Sequence, residues 1–140
     1  CRQHFDIHGG VFGCTGPDEM VVRKAMDWAR LRIAFYGSTR TYLPILSLHG
    51  LEDLGLKLHQ LSVERRWNEM APEISDDTLR IFAACGTYGE IAGEVERRFG
   101  GAADTIEIFL PPDAEPGPIR EMLADIRRIP HAFGGFRTNW

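Results

Sequence analysis

The N-terminal part of the chain has the hydrophobic pattern of a strand followed by a helix. Apolar residues and glycines over Phe5–Gly13 predict a short strand with a glycine-rich turn. The segment Thr15–Glu19 contains a hydroxyl, a proline and two acids, which together are typical of a helix start. The next positions supply an apolar stripe at helical spacing: Met20, Val21, Met26, Ala29 and Ile33. We therefore predict a strand, a turn and a helix from Pro17 to about Tyr36.

Residues 38–77 have helical patterning without an intervening strand. Pro44 favours the first turn of a short helix, and Glu52–Val63 has the pattern of a second one. Trp67–Pro72 is predicted to be a connector or a single helical turn, and Ser75 is placed to cap a further helix. We interpret residues 38–77 as a helical insertion in an α/β chain.

Strands and helices alternate again after the insertion. Phe82–Gly86 is a short apolar run, and Thr87–Glu90 matches a capping box, with a hydroxyl followed three residues later by a glutamate. Thr105–Leu110 is the clearest strand, Pro111-Pro112 ends it, and a last helix is predicted over Pro118–Ile129. Such alternation indicates a parallel sheet, yet three strands would leave two uncovered edges. We expect a portion of a larger α/β domain, with a complete small α/β domain as the alternative.

Composition narrows the classes of protein that the chain can belong to. It has 140 residues, of which 44% are hydrophobic and 26% charged, as in one soluble globular domain. No apolar run approaches the roughly 18 residues of a membrane helix, so we predict no membrane partner. The formal net charge of −4 and the scattered lysines and arginines argue against a nucleic-acid partner.

The cysteines and the first residue bear on compartment and completeness. Cys1, Cys14 and Cys85 are too few and too dispersed for a disulfide framework or a zinc ribbon, which predicts reduced thiols. With no signal peptide expected, we predict a cytoplasmic protein. A chain that starts with cysteine rather than methionine also agrees with a piece of something longer.

Several motifs, taken together and in this order, resemble the luciferase-like monooxygenase superfamily. They are Ile33–Tyr42 with Leu48–Gly50 behind it, Trp67–Met70, Ile74–Asp77, Cys85–Ile91, Arg98–Gly101 and Asp104–Ile106. The similarity extends from about Val11 to Ile129, and the closest group is the deazaflavin branch, the coenzyme F420-dependent oxidoreductases. Tyr88 departs from the family, which commonly has proline at that helix start. Much of the cofactor environment in this family also comes from earlier strands and loops, which this chain does not include.

The resemblance implies a (β/α)8 TIM barrel. Since barrels typically need about 250 residues, this chain can hold only the C-terminal part. The strand near Val11, Phe82–Cys85 and Thr105–Leu110 would be the sixth, seventh and eighth barrel strands. The insertion 38–77 would lie between the sixth and seventh units, where such insertions cover the active-site mouth. Residues 131–140 would be a tail with no assigned role.

The resemblance also implies an activity, namely hydride transfer between coenzyme F420 and a small organic substrate. An FMN-dependent luciferase-like monooxygenase is the alternative, because both cofactors are used across the superfamily. The fragment alone is expected to be inactive, since the upstream cofactor loops are missing. No catalytic acid or base can be identified from these residues.

The best candidate site is a loop that combines hydroxyls, a fixed cation and a phenol: Ser38, Thr39, Arg40 and Tyr42. These groups could hold an anionic or carbonyl substrate, or a cofactor tail. The alternative is that the hydroxyls cap the next helix and that Arg40 pairs with an acid. Gly86 and Thr87 begin a helix whose free N–H groups could bind a phosphate, with plain capping as the alternative. The histidines have no cysteine or carboxylate constellation around them, so no metal site is predicted.

A different class of function, protein association without catalysis, is the remaining alternative. The insertion is rich in leucines, some of which could form a homodimer contact: Leu46, Leu48, Leu51, Leu54, Leu56, Leu58 and Leu61. The aromatic residues Phe35, Tyr36 and Trp67 could wall a flavin-like ring, with core packing as the alternative.

Overall fold

The computed structural model describes residues 2–10, 12–108, 110 and 114–135. The chain forms two compact units. One, here called the strand unit, is built from the residues before Met26 and after Phe82; the other, the helical unit, is Met26–Phe82. No helix in the described part of the chain is long and apolar enough to cross a bilayer.

The described residues of the strand unit form four short strands: β1 (His8–Gly10), β2 (Phe12–Gly16), β3 (Ala83–Thr87) and β4 (Thr105–Glu107). β1 pairs with β4 and β2 pairs with β3, both in parallel, so the described strands form two two-stranded sheets. In the second pair Cys14 is in register with Cys85 and Gly16 with Thr87. The carboxyl ends of β2 and β3 therefore lie side by side.

This topology shows that the expected C-terminal portion of a (β/α)8 barrel is wrong for the described residues. In a barrel the seventh strand would pair with the eighth, whereas here β4 pairs with β1 and not with β3. The physical reason is that a parallel strand needs a partner along its edge. With so few strands available, residues 8–16 pair with β4 over one part of their length and with β3 over another. Val11, Phe109 and Pro111-Pro112, on which part of the expectation rested, lie outside the described residues.

Two helices contribute, together with β3, to the core of the strand unit. These are α5 (Ile91–Phe99) and α6 (Pro116–Ile126). The core is a cluster of buried side chains from β3, α5 and α6, together with the turn between β3 and α5: Ala84, Tyr88, Ile91, Val95 and Met122. Ile91 and Val95 are the buried positions of α5.

The first helix, α1 (Glu19–Gly37), begins in the strand unit and ends in the helical unit. The helical unit continues with α2 (Leu43–Leu48), α3 (Glu52–Val63) and α4 (Asp76–Phe82). Three short 3-10 turns complete it: Arg40–Tyr42, Trp67–Glu69 and Ala71–Glu73. The helices predicted around Pro44, over Glu52–Val63 and after Ser75 are confirmed. Ser75 caps α4, since its Oγ accepts the Thr78 N–H at 3.1 Å.

A glycine sets the close approach of α2 and α3. A Cβ atom at Gly55 would lie 2.7 Å from Leu43 Cδ1 and 2.8 Å from Leu46 Cδ1, so a larger residue there would require both leucine side chains to shift. Leu46 and Leu58 are buried at this contact, whereas Leu48 on the last turn of α2 is 84% exposed. The leucine-rich insertion thus uses some of its leucines for its own core and leaves others at the surface.

Candidate functional site

The loop predicted as a binding site directly follows α1, and its first residue closes that helix. The Ser38 N–H donates to the Ala34 carbonyl at 3.0 Å, and Ser38 Oγ donates to the Phe35 carbonyl at 2.7 Å. The Thr39 N–H donates to the Tyr36 carbonyl at 3.0 Å. The Ser38 hydroxyl is therefore engaged in ending α1, while Thr39 makes no side-chain capping hydrogen bond.

His59, which is not among the predicted site residues, orients Arg40. The Arg40 Nε–H donates to His59 Nε2 at 3.3 Å, and His59 Nδ1 lies 3.0 Å from the Ser38 carbonyl oxygen. Because a carbonyl oxygen can only accept, Nδ1 carries the proton and Nε2 is the acceptor, which is one neutral tautomer of the ring. His59 lies one helical turn after Gly55, the residue that brings α2 close to α3. That spacing is the sequence signal that could have pointed to it.

Arg40 has no carboxylate partner within the described residues. Other arginines of the helical unit do have one: Arg30 pairs with Asp76 at 2.6 Å and Arg66 with Glu69 at 2.6 Å. The Nη groups of Arg40 likewise make no hydrogen bond within this part of the chain, since only its Nε–H is engaged. Within the described residues, Arg40 therefore does not pair with an acid, which was the alternative interpretation. A guanidinium in this state keeps one whole edge available for an anion.

A cavity of about 440 Å³ opens beside the Arg40 side chain. It is lined by the loop, the start of α2 and one face of α3: Gly37, Ser38, Thr39, Arg40, Leu43, Gly55, Leu56 and His59. Three of the four residues predicted for this loop thus share one cavity. Tyr42 does not line it, and its ring instead packs on Tyr36 with centroids 5.5 Å apart. We name this space the Arg40 cavity.

The second predicted site, Gly86-Thr87, lies in the strand unit at the carboxyl end of β3. Its donors are already engaged, because the Thr87 N–H and Oγ–H both donate to Glu90 Oε2, at 2.9 and 2.8 Å. The backbone hydrogen bond from Thr87, with the side-chain one, lowers the pKa of the Glu90 carboxyl and keeps it ionised. A phosphate would have to displace a group of its own charge. These contacts are those of helix capping, although α5 itself starts only at Ile91.

Two other sequence expectations concern metals and aromatic residues. Within the described ranges, no group of three or more His, Cys, Asp and Glu side chains is arranged to hold a metal ion. Phe35 and Trp67 are 54% and 49% exposed, with ring centroids 6.5 Å apart, so they are not core residues of the helical unit. They form part of an exposed aromatic surface instead.

Comparison with known proteins finds relatives in mycobacteria. Over 128 residues, which is 91% of this chain, the sequence is 37% identical to an uncharacterized protein of Mycobacterium tuberculosis. It is equally similar to an uncharacterized protein of Mycobacterium bovis. No protein-family model matches the sequence. No solved structure matches it either. The chain spans 37% of the length of these relatives and is thus similar to one stretch of a longer mycobacterial protein.

Proposed function

We propose that the chain is part of an oxidoreductase that transfers a hydride between coenzyme F420 and a small organic substrate. In this proposal the Arg40 cavity receives an anionic group of the cofactor or of the substrate. The ordered motifs that resemble the F420-dependent branch support the activity. The observation that carries the site is Arg40 itself, a cation that lines a cavity and has no carboxylate partner within the described residues.

The donors of the cavity suit the anionic tail of such a cofactor. The free edge of the Arg40 guanidinium matches a phosphate or carboxylate, with two parallel N–H donors. Thr39 adds a hydroxyl that no capping bond uses, and His59 holds the guanidinium in place. The cofactor, when bound, supplies the hydride chemistry, and these residues bind and orient it.

The same donors suit FMN, which also has an anionic tail, so an FMN-dependent monooxygenase remains the alternative. The two cofactors differ in their ring systems, and the residues that line the cavity do not favour either ring. Titration with each cofactor distinguishes them.

The test is cofactor binding to the protein expressed from its complete gene. We expect either F420 or FMN to bind at micromolar protein, followed by absorbance and fluorescence. If the Arg40 cavity receives the anionic group of the cofactor, Arg40→Ala should weaken that binding about 10- to 100-fold, because it removes hydrogen bonds to a charged group. If the cavity receives the substrate instead, Arg40→Ala should leave cofactor binding unchanged. Arg23→Ala is the matched control, since Arg23 lies on the exposed face of α1. If neither cofactor bound, the oxidoreductase proposal would be wrong.

A second candidate function, association of two copies, is favoured by the exposed aromatic surface. Trp28, Leu31 and Phe35 lie along one face of α1 and are each about half exposed, as is Trp67. Arg32 extends this surface, with its guanidinium 5.3 Å from the Trp28 ring centroid. Aromatic residues and arginine are the types enriched in protein interfaces.

Light scattering tests this second function. We expect the mass of a dimer for the unmodified protein and of a monomer for Phe35→Ser, because the substitution removes an anchor from the surface. Val63→Ser is the control, as Val63 is 70% exposed on α3. A monomeric mass for the unmodified protein would rule the association out.

A further inference from the structure

A second cavity adjoins Arg40 and has a different chemical character. It is a shallow depression of about 530 Å³, largely open to solvent, and is lined by Arg40, Leu43, Pro44, Ser47 and Leu48. Arg40 and Leu43 thus belong to both cavities. The second cavity is mostly aliphatic, and Leu48 is 84% exposed. We name this space the Leu48 cavity.

The polar groups around the two cavities offer little to a hydroxylated ligand. Ser47 Oγ donates to the Leu43 carbonyl of its own helix at 3.0 Å, and Ser38 Oγ donates to the Phe35 carbonyl. Only Thr39 keeps a hydroxyl that no capping bond engages. A sugar-like ligand would lose hydrogen bonds to water without regaining them here, which is costly.

The charge around the cavities points to a ligand with one anionic group. Among the described residues, Arg40 is the only Lys, Arg, Asp or Glu that lines either cavity, and His59 accepts a hydrogen bond from it. One guanidinium edge matches one carboxylate in a bidentate pair. The aliphatic residues beside it, Leu43, Pro44 and Leu48, offer no partner to a second charge.

We propose that the two cavities together bind an aliphatic carboxylate. Its head group is held by the Nη edge of Arg40, and its hydrocarbon chain lies along Leu43, Pro44 and Leu48. This inference rests on the proposed function, because it names the substrate class for the same site. It takes the case in which the Arg40 cavity receives the anionic group of the substrate and not that of the cofactor. The hydrocarbon chain covers Leu48, and each methylene that leaves water strengthens binding.

The experiment is a titration of the protein with acetate, butanoate, hexanoate and octanoate, by calorimetry or by NMR chemical shifts. We expect the affinity to rise about two- to fourfold for each added methylene until the Leu48 cavity is filled. Octan-1-ol, which has the chain without the charge, should bind at least tenfold more weakly than octanoate. Inorganic phosphate should bind more weakly than octanoate, since it has the charge without the chain.

Two variants separate the head group from the chain. Arg40→Ala should weaken every carboxylate at least tenfold, whereas Leu48→Ser should leave acetate unchanged and flatten the dependence on chain length. Leu48→Ser alters an exposed side chain, so the fold is kept, as circular dichroism would verify. Val63→Ser, which lines neither cavity, should change nothing.

Failure of this inference can be told apart from failure of the proposed function. If all four carboxylates and phosphate bound equally, the aliphatic ligand would be wrong while the anion site stood. If octan-1-ol bound as tightly as octanoate, the role of Arg40 as head-group ligand would be wrong. The cofactor titration decides the oxidoreductase proposal independently of both.

Discussion

Replacing Asp104 with asparagine is expected to lower the unfolding midpoint of the strand unit by several degrees. The Asp104 side chain is only 1% exposed and forms an ion pair with Arg2 at 2.8 Å. It also accepts the backbone N–H groups of Ile7 at 2.9 Å, Ala132 at 3.0 Å and Phe133 at 2.9 Å. One carboxylate thus ties the N-terminal segment to residues 132 and 133. Asparagine would remove the charge and place an amide donor among donors.

The same carboxylate makes the stability depend on pH in a defined window. Burial raises the pKa of Asp104, but the hydrogen bonds from Ile7, Arg2, Phe133 and Ala132 outweigh it and lower the pKa from 3.8 to about 2. The fold therefore favours the ionised form. Its contribution is present above about pH 3.8 and is lost as the pH falls towards about 2. We expect the unmodified protein to lose stability in this window more steeply than Asp104→Asn.

Thermal unfolding followed by circular dichroism between pH 2 and pH 6 measures both effects. Asp125→Asn is the matched control, because Asp125 is 45% exposed and its one ion pair within the described residues is with Arg128, three residues away, at 2.7 Å. Such surface pairs contribute little, so its midpoint should stay nearly unchanged. Equal losses in the two variants would contradict the role assigned to Asp104.

Two glycine-to-alanine changes are expected to shift stability in opposite directions. A Cβ at Gly16 would lie 2.5 Å from Val21 Cγ1 and 2.7 Å from Val21 Cβ. Val21 is branched at Cβ and cannot turn away, so Gly16→Ala should displace the start of α1 and cost about 1–3 kcal/mol. Gly93 is exposed within α5, and a Cβ there would meet nothing within 4 Å. Gly93→Ala should therefore stabilise the protein by about 0.5–1 kcal/mol.

Urea unfolding of both variants measures the two free energies directly. Because the substitution is chemically the same, the unfolded chains change alike, and the difference reports the two folded environments. A stabilising effect of Gly16→Ala would mean that β2 and α1 do not approach as closely as described.

The helices were largely predictable from the sequence because their signals are local. Pro44 in the first turn, the Ser75 cap and the apolar spacing of Glu52–Val63 all act within a few residues of one another. The strand over Phe82–Gly86 was also found, as β3, because a short apolar run next to turn residues is a local signal too. The single strand predicted over Phe5–Gly13 is instead two strands, β1 and β2, and β2 extends to Gly16. The part of the candidate site that lies in one loop, Ser38–Arg40, could be named for the same reason.

The strand pairing was not predictable, and the expected barrel was wrong for that reason. Which strand covers which edge depends on how many strands compete for it, and here β4 lies against β1. The resemblance to a barrel family implied that strands next to each other in the chain pair in the sheet. The described strands instead form two separate parallel pairs, β1 with β4 and β2 with β3.

By itself, therefore, the sequence determined which segments are helical, to within a few residues, and which loop is rich in polar groups. It did not fix every core position, since Met20 of the predicted apolar stripe is 63% exposed. Only the tertiary structure decided which partners the polar side chains have. It brought His59 to Arg40 across 19 residues and placed Asp104 between segments that lie 97 and 28 residues away in the chain. It also left Arg40 without a carboxylate within the described residues. Helix signals act over one or two turns, but a partner for a charge can come from anywhere in the chain, and only packing selects it.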